Sequence, residues 1–295
     1  MELYNLPELI AAARPNTNEA TRISYFYLIK RLAPANVQKR LGSGVSTNKI
    51  HLGWMKNTKE VFKRLDAMPV NSQRSACSPL LVLLPHIWKD TPSWDEWAST
   101  AYALYNVRLA QVTMERDAVT QSHEKTQKEM ENWCPWKDLV AYAESMPIEK
   151  PKQWLYKIVA LLYTRQSPAR HDYNKMRMVH DAADMTKSDN FLLFKDGSPT
   201  HFVFGDYKTA STYHSVKVEI KREMVEYILS FLNGRTEGYL LQNKDGSPLT
   251  KGQLGYAIKM AFAKMDGGKH VTVNLLRHIC ASENVDITKA VALHQ

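Results

Sequence analysis

The chain has 295 residues, 44% hydrophobic and 23% charged, the make-up of a globular protein able to bury the core of one large domain or two ordinary ones. No apolar run approaches the ~20 residues that cross a bilayer, and "MELYNLPELI" has no basic segment leading into an apolar one, so neither a membrane span nor a secretory signal is read. The net charge of +9 makes a polyanion a natural partner, and it is spread along the chain: 15 basic against 11 acidic residues before position 125 (+4), and 24 against 19 from there on (+5).

The first part reads as helical. "NTNEATRISYFYLIKRL" (16–32) has Thr17 as N-cap, and "KNTKEVFKRLDAM" (56–68) repeats at helical spacing through Val61 and Leu65. "PLLVLLPHIW" (79–88) is a short apolar stretch interrupted by Pro85, a buried core segment. "TPSWDEWASTAYALYNVRLAQV" places Ser93 and Glu96 three apart as a capping box, with Trp97, Ala101 and Leu104 as its apolar stripe. After Ala118 the sequence turns polar, "TQSHEKTQKEMEN", and the domain boundary is set there, giving 1–124 and 125–295.

The second part mixes element types. "WKDLVAYAESM" and "PKQWLYKIVALLYT" (151–164) are helices, the second strongly apolar. "NFLLF", "HFVFGDYKT" and "YHSVKVEI" are strands, with turns at Gly197 and around Ala210; Val216, Val218 and Ile220 alternate with Lys217 and Glu219. "KREMVEYILSFLNG" is a helix ended by Gly234, and Thr250 with Gln253 forms a capping box before "KGQLGYAIKMAFAKM". The fold expected is therefore mainly α with a small antiparallel β-sheet of about three strands, an α+β chain with an all-helical first domain.

Three cations stand out by context: Arg170 in a proline-containing turn after the apolar helix, Lys208 at a strand end beside a hairpin turn, and Arg277 inside the apolar helix "VTVNLLRHICASE" (271–283). Each also fits a structural role. Arg170 has Asp172 as an ion-pair partner, Lys208 suits the edge of a hairpin, and Arg277 has Glu283 as a partner or a neighbouring helix to cap. His278 reads as a buttress of the fold. The ten histidines show no metal-ligand spacing, no glycine-rich phosphate loop is present, and no cofactor or metal is expected. The three cysteines, Cys77, Cys134 and Cys280, form neither a disulfide framework nor a metal pattern, which suits a reducing, intracellular compartment. The seven tryptophans read as packing anchors, Tyr213 as a strand residue and Tyr256 as helix packing.

The order of these segments resembles a known family. "LLYTRQSPARHDYNKM" (161–176) is similar to the first arginine motif of tyrosine recombinases, in the form found in integrase-like proteins of large DNA viruses and crypton-like mobile elements. "DYKTASTYHSVKVEI" (206–220) is similar to the family's hairpin-lysine segment, and "GYLLQNKDGSPLTKGQLGYAIKMAF" (238–262) followed by "VTVNLLRHICASE" resembles its second arginine motif. "TQKEMENWCPWKDL" (126–139) resembles the same subgroup's domain junction. The match covers about residues 120–290; over the first domain it is generic.

The resemblance implies a helical DNA-clasping domain, a catalytic domain, and a C-shaped clamp on double-stranded DNA that assembles as a tetramer on paired sites. Strand exchange would run through a 3′-phosphotyrosine link, wherever the target DNA lies. It implies that Arg170 and Arg277 stabilise charge on the non-bridging oxygens and that Lys208 protonates the leaving 5′ oxygen. Asn274 stands where the family commonly has histidine; asparagine can donate a hydrogen bond but cannot shuttle a proton. His294 is the candidate for the residue that precedes the family's tyrosine. No tyrosine follows Tyr256, so this polypeptide is expected to bind DNA without cleaving it, as a chain cut short before its nucleophile. A non-catalytic DNA-binding relative and a type IB topoisomerase remain alternatives.

Overall fold

The computed structural model describes residues 3–38, 49–121, 124–166, 168–265 and 267–283. The chain divides into two compact units, Met1–Glu124 and Lys125–Gln295. The architecture is mainly α with a small sheet.

In the first unit a two-residue strand, β1 (Tyr4–Asn5), pairs antiparallel with β2 (Lys49–Ile50). Between and after them run α1 (Leu6–Ala13), α2 (Glu19–Leu32), α3 (Ala35–Gln38), α4 (Thr58–Asp66), α5 (Val70–Trp88) and α6 (Ser99–Gln121). The N-cap of α2 is Asn18, not Thr17: the Asn18 side chain accepts from the Thr21 amide at 2.9 Å. Helix α5 runs through Pro85 to Trp88, so the proline does not interrupt it. Packing of Leu80, Leu83 and Leu84, all at 0% exposure, outweighs the missing backbone hydrogen bond.

No capping box forms at Ser93. Trp94–Ala98 is instead a π-helical turn leading directly into α6. That extra residue shifts the face, so Ala98, Ala101 and Tyr105 are buried while Leu104 is exposed. The Tyr105 hydroxyl, sealed in this core, donates to the Met55 carbonyl at 2.8 Å.

The second unit contains α7 (Gln127–Asn132), α8 (Trp136–Ser145), α9 (Pro151–Thr164), β3 (Arg177–Val179), β4 (Asn190–Lys195), β5 (Ser198–Phe204), α10 (Ala210–Tyr213), β6 (Val216–Glu219), α11 (Arg222–Leu232), α12 (Lys251–Phe262) and α13 (Val273–Glu283). A capping box between Thr126 and Glu129 opens α7 within the polar stretch. Helix α9 is the axis: Ile158 to Tyr163 all lie at 0% exposure, with α8, α11, α12 and α13 packed around it. A helix apolar on all sides has to be enclosed, and each large side chain buried there contributes ~1.5–3 kcal/mol.

The sheet has four strands in the order β3-β4-β5-β6 and is mixed, because β3 pairs parallel with β4 (Met178↔Leu192). The three-strand antiparallel expectation misses β3, whose three residues are too short to show an alternation. Asp196 and Gly197, at φ 51° and 77°, make the tight β4–β5 turn that matches strand twist. Side chains alternate across the sheet, Leu192, Phe194, Phe202 and Phe204 joining the main core and Phe191 and Val203 a smaller cluster with Met185. The β5–β6 connection, residues 205–215, is longer than a hairpin turn and contains α10, so Tyr213 is helical and 47% exposed. Tyr256 is 55% exposed rather than packed. No helix among the described residues is long and apolar enough to cross a membrane.

Candidate anion-binding site

Four elements of the second unit end at one place. Helix α9 delivers Gln166 and the turn to Arg170; β5 delivers Asp206, Tyr207 and Lys208; the start of α12 delivers Lys251; and α13 delivers Arg277. Two adjoining cavities result. One is bordered by Gln166, Arg170, Asp172, Tyr207 and Arg277 among others, and the second by Arg170, His171, Asp172, Asp206, Lys208 and Lys251 among others. Arg170, Asp172 and Tyr207 face both. The two rims carry four permanent cations against two carboxylates.

Arg170 is held by its own main chain. Tyr163 donates its hydroxyl to the Arg170 carbonyl, and the Arg170 amide donates to Asp172 Oδ2 at 3.2 Å. On the far side Tyr173 lies edge-on to Tyr163, Phe202 and Phe204, and Asn174 Nδ2 donates to the Leu249 carbonyl at 3.0 Å. The expected Arg170–Asp172 ion pair is thus a main-chain contact that leaves the guanidinium uncommitted; no salt bridge joins the two side chains among the described residues.

Asn190, 5% exposed, ties this turn to the lysine segment. Its Nδ2 donates to the carbonyls of Asp172 (2.8 Å) and Asp206 (3.0 Å), and its Oδ1 accepts from the amides of Gly205 (2.9 Å) and Asp206 (2.8 Å). Gly205 is required at this crossing, because a Cβ there would sit 2.6 Å from the carbonyl oxygens of Asp189 and Lys187. Lys208 is exposed and projects from a turn rather than a hairpin tip. At the opposite wall, both halves of the predicted Thr250–Gln253 capping box form, at 2.8 and 3.1 Å. Gly255 lets His171 lie against α12, where a Cβ would meet His171 Nε2 at 3.3 Å.

Arg277 is half-buried on α13. Burial pulls its pKa down, and the nearby Arg170 guanidinium pulls it further; Asp172 pulls the other way. The proposed partner Glu283 is engaged elsewhere, accepting from Trp133 Nε1 at 3.1 Å and the Trp136 amide at 2.7 Å. Two guanidiniums therefore face one cavity, and among the described residues no acceptor is found for Arg277. Burial raises the Asp172 pKa, only partly offset by the Arg170 amide and by the charges of Arg170 and Lys251, which weakens Asp172 as a counter-ion. Burial and Lys251 hold His171 below the ordinary imidazole range, so it is neutral at pH 7.

The other nominated residues sit differently. Asn274 is exposed one helical turn before Arg277 and borders neither cavity. His278 points away from the site, its Nδ1 2.9 Å from Glu129 Oε1 and its ring edge-on to Trp133. His294 lies outside the described residues. Tyr207 borders both cavities, but its hydroxyl donates to the His214 carbonyl at 2.7 Å, and burial raises its pKa.

Gln166, Asn190 and Lys251 escaped the sequence reading. Lys251 left a signal: a cation in the first turn of a helix opposes the positive end of the helix dipole, which invites an anion. Among the described residues no group of His, Cys, Asp or Glu could hold a metal ion. No family model and no curated protein matches the sequence.

Proposed function

We propose that this chain is the DNA-binding, phosphate-activating body of a tyrosine-recombinase-type protein. The observation that carries the reading is the pair of guanidiniums, Arg170 and Arg277, facing one cavity with no carboxylate salt-bridged to them among the described residues, with Lys208 and Lys251 on the adjoining rim. Placing like charges together in a partly desolvated site is costly, and an anion of two or more oxygens offsets that cost through forked, charge-assisted hydrogen bonds. A DNA backbone phosphate meets that requirement, and the positive balance of both parts of the chain supplies the counterion-release term.

In strand transfer a tyrosine oxygen bonds to phosphorus, the bond to the 5′ oxygen breaks, and the 5′ oxygen takes a proton. Charge builds on the non-bridging oxygens as phosphorus becomes five-coordinate, and the two arginines stabilise it. Lys208, exposed on a connection that also carries α10, supplies the proton. Asn274 adds a hydrogen-bond donor to the same helix face, and full assembly is a tetramer on paired sites. No metal or cofactor enters this chemistry.

A second reading, a non-catalytic DNA binder, is favoured by Tyr207, which borders both cavities but has its hydroxyl committed to the His214 carbonyl. Both readings place a phosphate between the arginines and part over cleavage. Fluorescence anisotropy of a labelled duplex, titrated with salt, tests their common ground. Wild-type affinity should fall linearly on a log–log salt plot, and Arg277→Ala should weaken binding about tenfold or more and lower the slope by about one. Unchanged affinity in both Arg170→Ala and Arg277→Ala overturns both readings. A strand end covalently trapped on this polypeptide would remove the non-catalytic one.

A further inference from the structure

We infer that the Gln166 carboxamide is a third, uncharged phosphate-oxygen donor in the cavity between Arg170 and Arg277, an inference that rests on the phosphate reading above. Gln166 lies just beyond the last turn of α9 and is 3% exposed. It borders the same cavity as both arginines, and its Nε2 is buried without a hydrogen-bond partner among the described residues.

Other buried side-chain polar atoms also lack a partner among the described residues, Trp54 Nε1 among them, but none of their residues borders this cavity, and the four other strongly buried polar residues are engaged. Gln73 Nε2 donates to the Met68 carbonyl at 2.9 Å, Thr164 Oγ1 to the Ala160 carbonyl at 2.8 Å, Asn174 to Leu249, and Asn190 uses both ends of its amide. A buried donor left unpaired costs the whole of its lost hydration. At a position that ends an apolar helix, leucine would avoid that cost, so the carboxamide is out of place unless an acceptor arrives.

The chemistry of the acceptor follows from the neighbours. A third cation here would add to the repulsion that already depresses the Arg277 pKa, whereas an amide N–H adds a donor without charge. A phosphodiester has two non-bridging oxygens with several lone pairs, and two guanidinium forks leave room for a further donor. Gln166 thus completes a three-donor cradle for one backbone phosphate, held rigid by the buried end of α9.

Salt titration separates this role from that of the arginines. Gln166→Leu should weaken duplex binding about threefold to tenfold, as for a hydrogen bond to a charged group. The salt slope should stay at the wild-type value, because no charge is removed. Its thermal midpoint should hold or rise, since the orphaned donor is gone. Gln166→Glu, which keeps shape and solubility but places a carboxylate against the phosphate, should bind more weakly than Gln166→Leu. Wild-type affinity in both variants, with Arg277→Ala weakened, overturns the role of Gln166 and leaves the phosphate reading standing. Wild-type affinity in all three, Arg277→Ala included, overturns the phosphate reading itself. A lowered midpoint with unchanged affinity assigns Gln166 to the fold alone.

Discussion

Arg235 and Arg277 are both half-buried arginines of the second unit, and burial pulls both pKa values down. Their surroundings differ completely. Arg235, in the loop after α11, donates to the carbonyls of Glu237, Tyr239 and Leu240 and to Gln242 Oε1. It gathers the loop that returns the chain to the sheet, where the Met178 amide donates to the Gly238 carbonyl at 2.9 Å. Arg277 has another guanidinium for company and none of those acceptors. A buried cation surrounded by carbonyls is part of the fold; one facing a second cation is held for something that is not there yet.

The largest expected effect comes from exchanging which arginine is removed. Arg235→Ala leaves several loop carbonyls without a donor, a loss of about 2 kcal/mol or more, and should lower the thermal midpoint by about 4–8 °C in a unit of this size. Its duplex affinity should match wild type. Arg277→Ala should show the reverse: a midpoint within about 2 °C of wild type, because relief of repulsion offsets the lost packing, and the weakened binding described above. A large midpoint loss in Arg277→Ala would make it a second structural arginine and end the comparison.

A smaller effect should come from Asp172. Its pKa is raised by burial, so its carboxyl takes up a proton at a pH above the ordinary carboxylate value, and the site then loses a negative charge. Phosphate binding should therefore tighten as pH falls into the acid range. His171, facing the same rim with a lowered pKa, gains its charge in that direction too. Asp172→Asn keeps an acceptor for the Arg170 amide while removing the charge. It should bind a few-fold more tightly at pH 7 and flatten the pH profile. Equal affinity of the two proteins at pH 7 would show that Asp172 does not sense the anion. For stability the sign is the same: a carboxyl raised by burial opposes folding more as pH rises through its folded pKa.

The smallest effect is expected at Lys208. It is exposed, so its attraction to a phosphate is screened, and Lys208→Ala should cost only about twofold to threefold in affinity at moderate salt. The midpoint should not move. A loss as large as that of Arg277→Ala would place Lys208 inside the phosphate cradle rather than on its rim.

What was readable in the sequence was local. Helix α9 announced itself because the apolar run from Ile158 to Tyr163 closes a 14-residue segment rich in helix formers, and the Asp196–Gly197 turn because few residue pairs take two positive φ angles. The Thr250–Gln253 box was legible for the same reason: its two hydrogen bonds join residues three apart. Ser93–Glu96 has the same pattern and forms no box, because the helical stretch already begins at Pro92 and Ser93 has helical backbone angles, so the end to be capped lies before it. Tertiary packing decided that.

The candidate site divides in the same way. Arg170, Lys208 and Arg277 were singled out by residue type and context, and the structure brings them to two adjoining cavities. Their state was not legible. The sequence places Asp172 two residues from Arg170 and Glu283 six from Arg277, and both looked like ion-pair partners. Only the folded chain turns Asp172 onto a backbone amide and gives Glu283 to two tryptophans about 150 residues away in the chain. Asn190 and Gln166 carried no signal because their meaning lies in long-range geometry: four hydrogen bonds to segments 15 to 18 residues distant in one case, and one missing bond in the other. Residue type and spacing determined which helices, turns and cations this protein has. Whether a given charge or amide is satisfied depends on which distant backbone groups burial brings to it, and that was settled only when the elements packed.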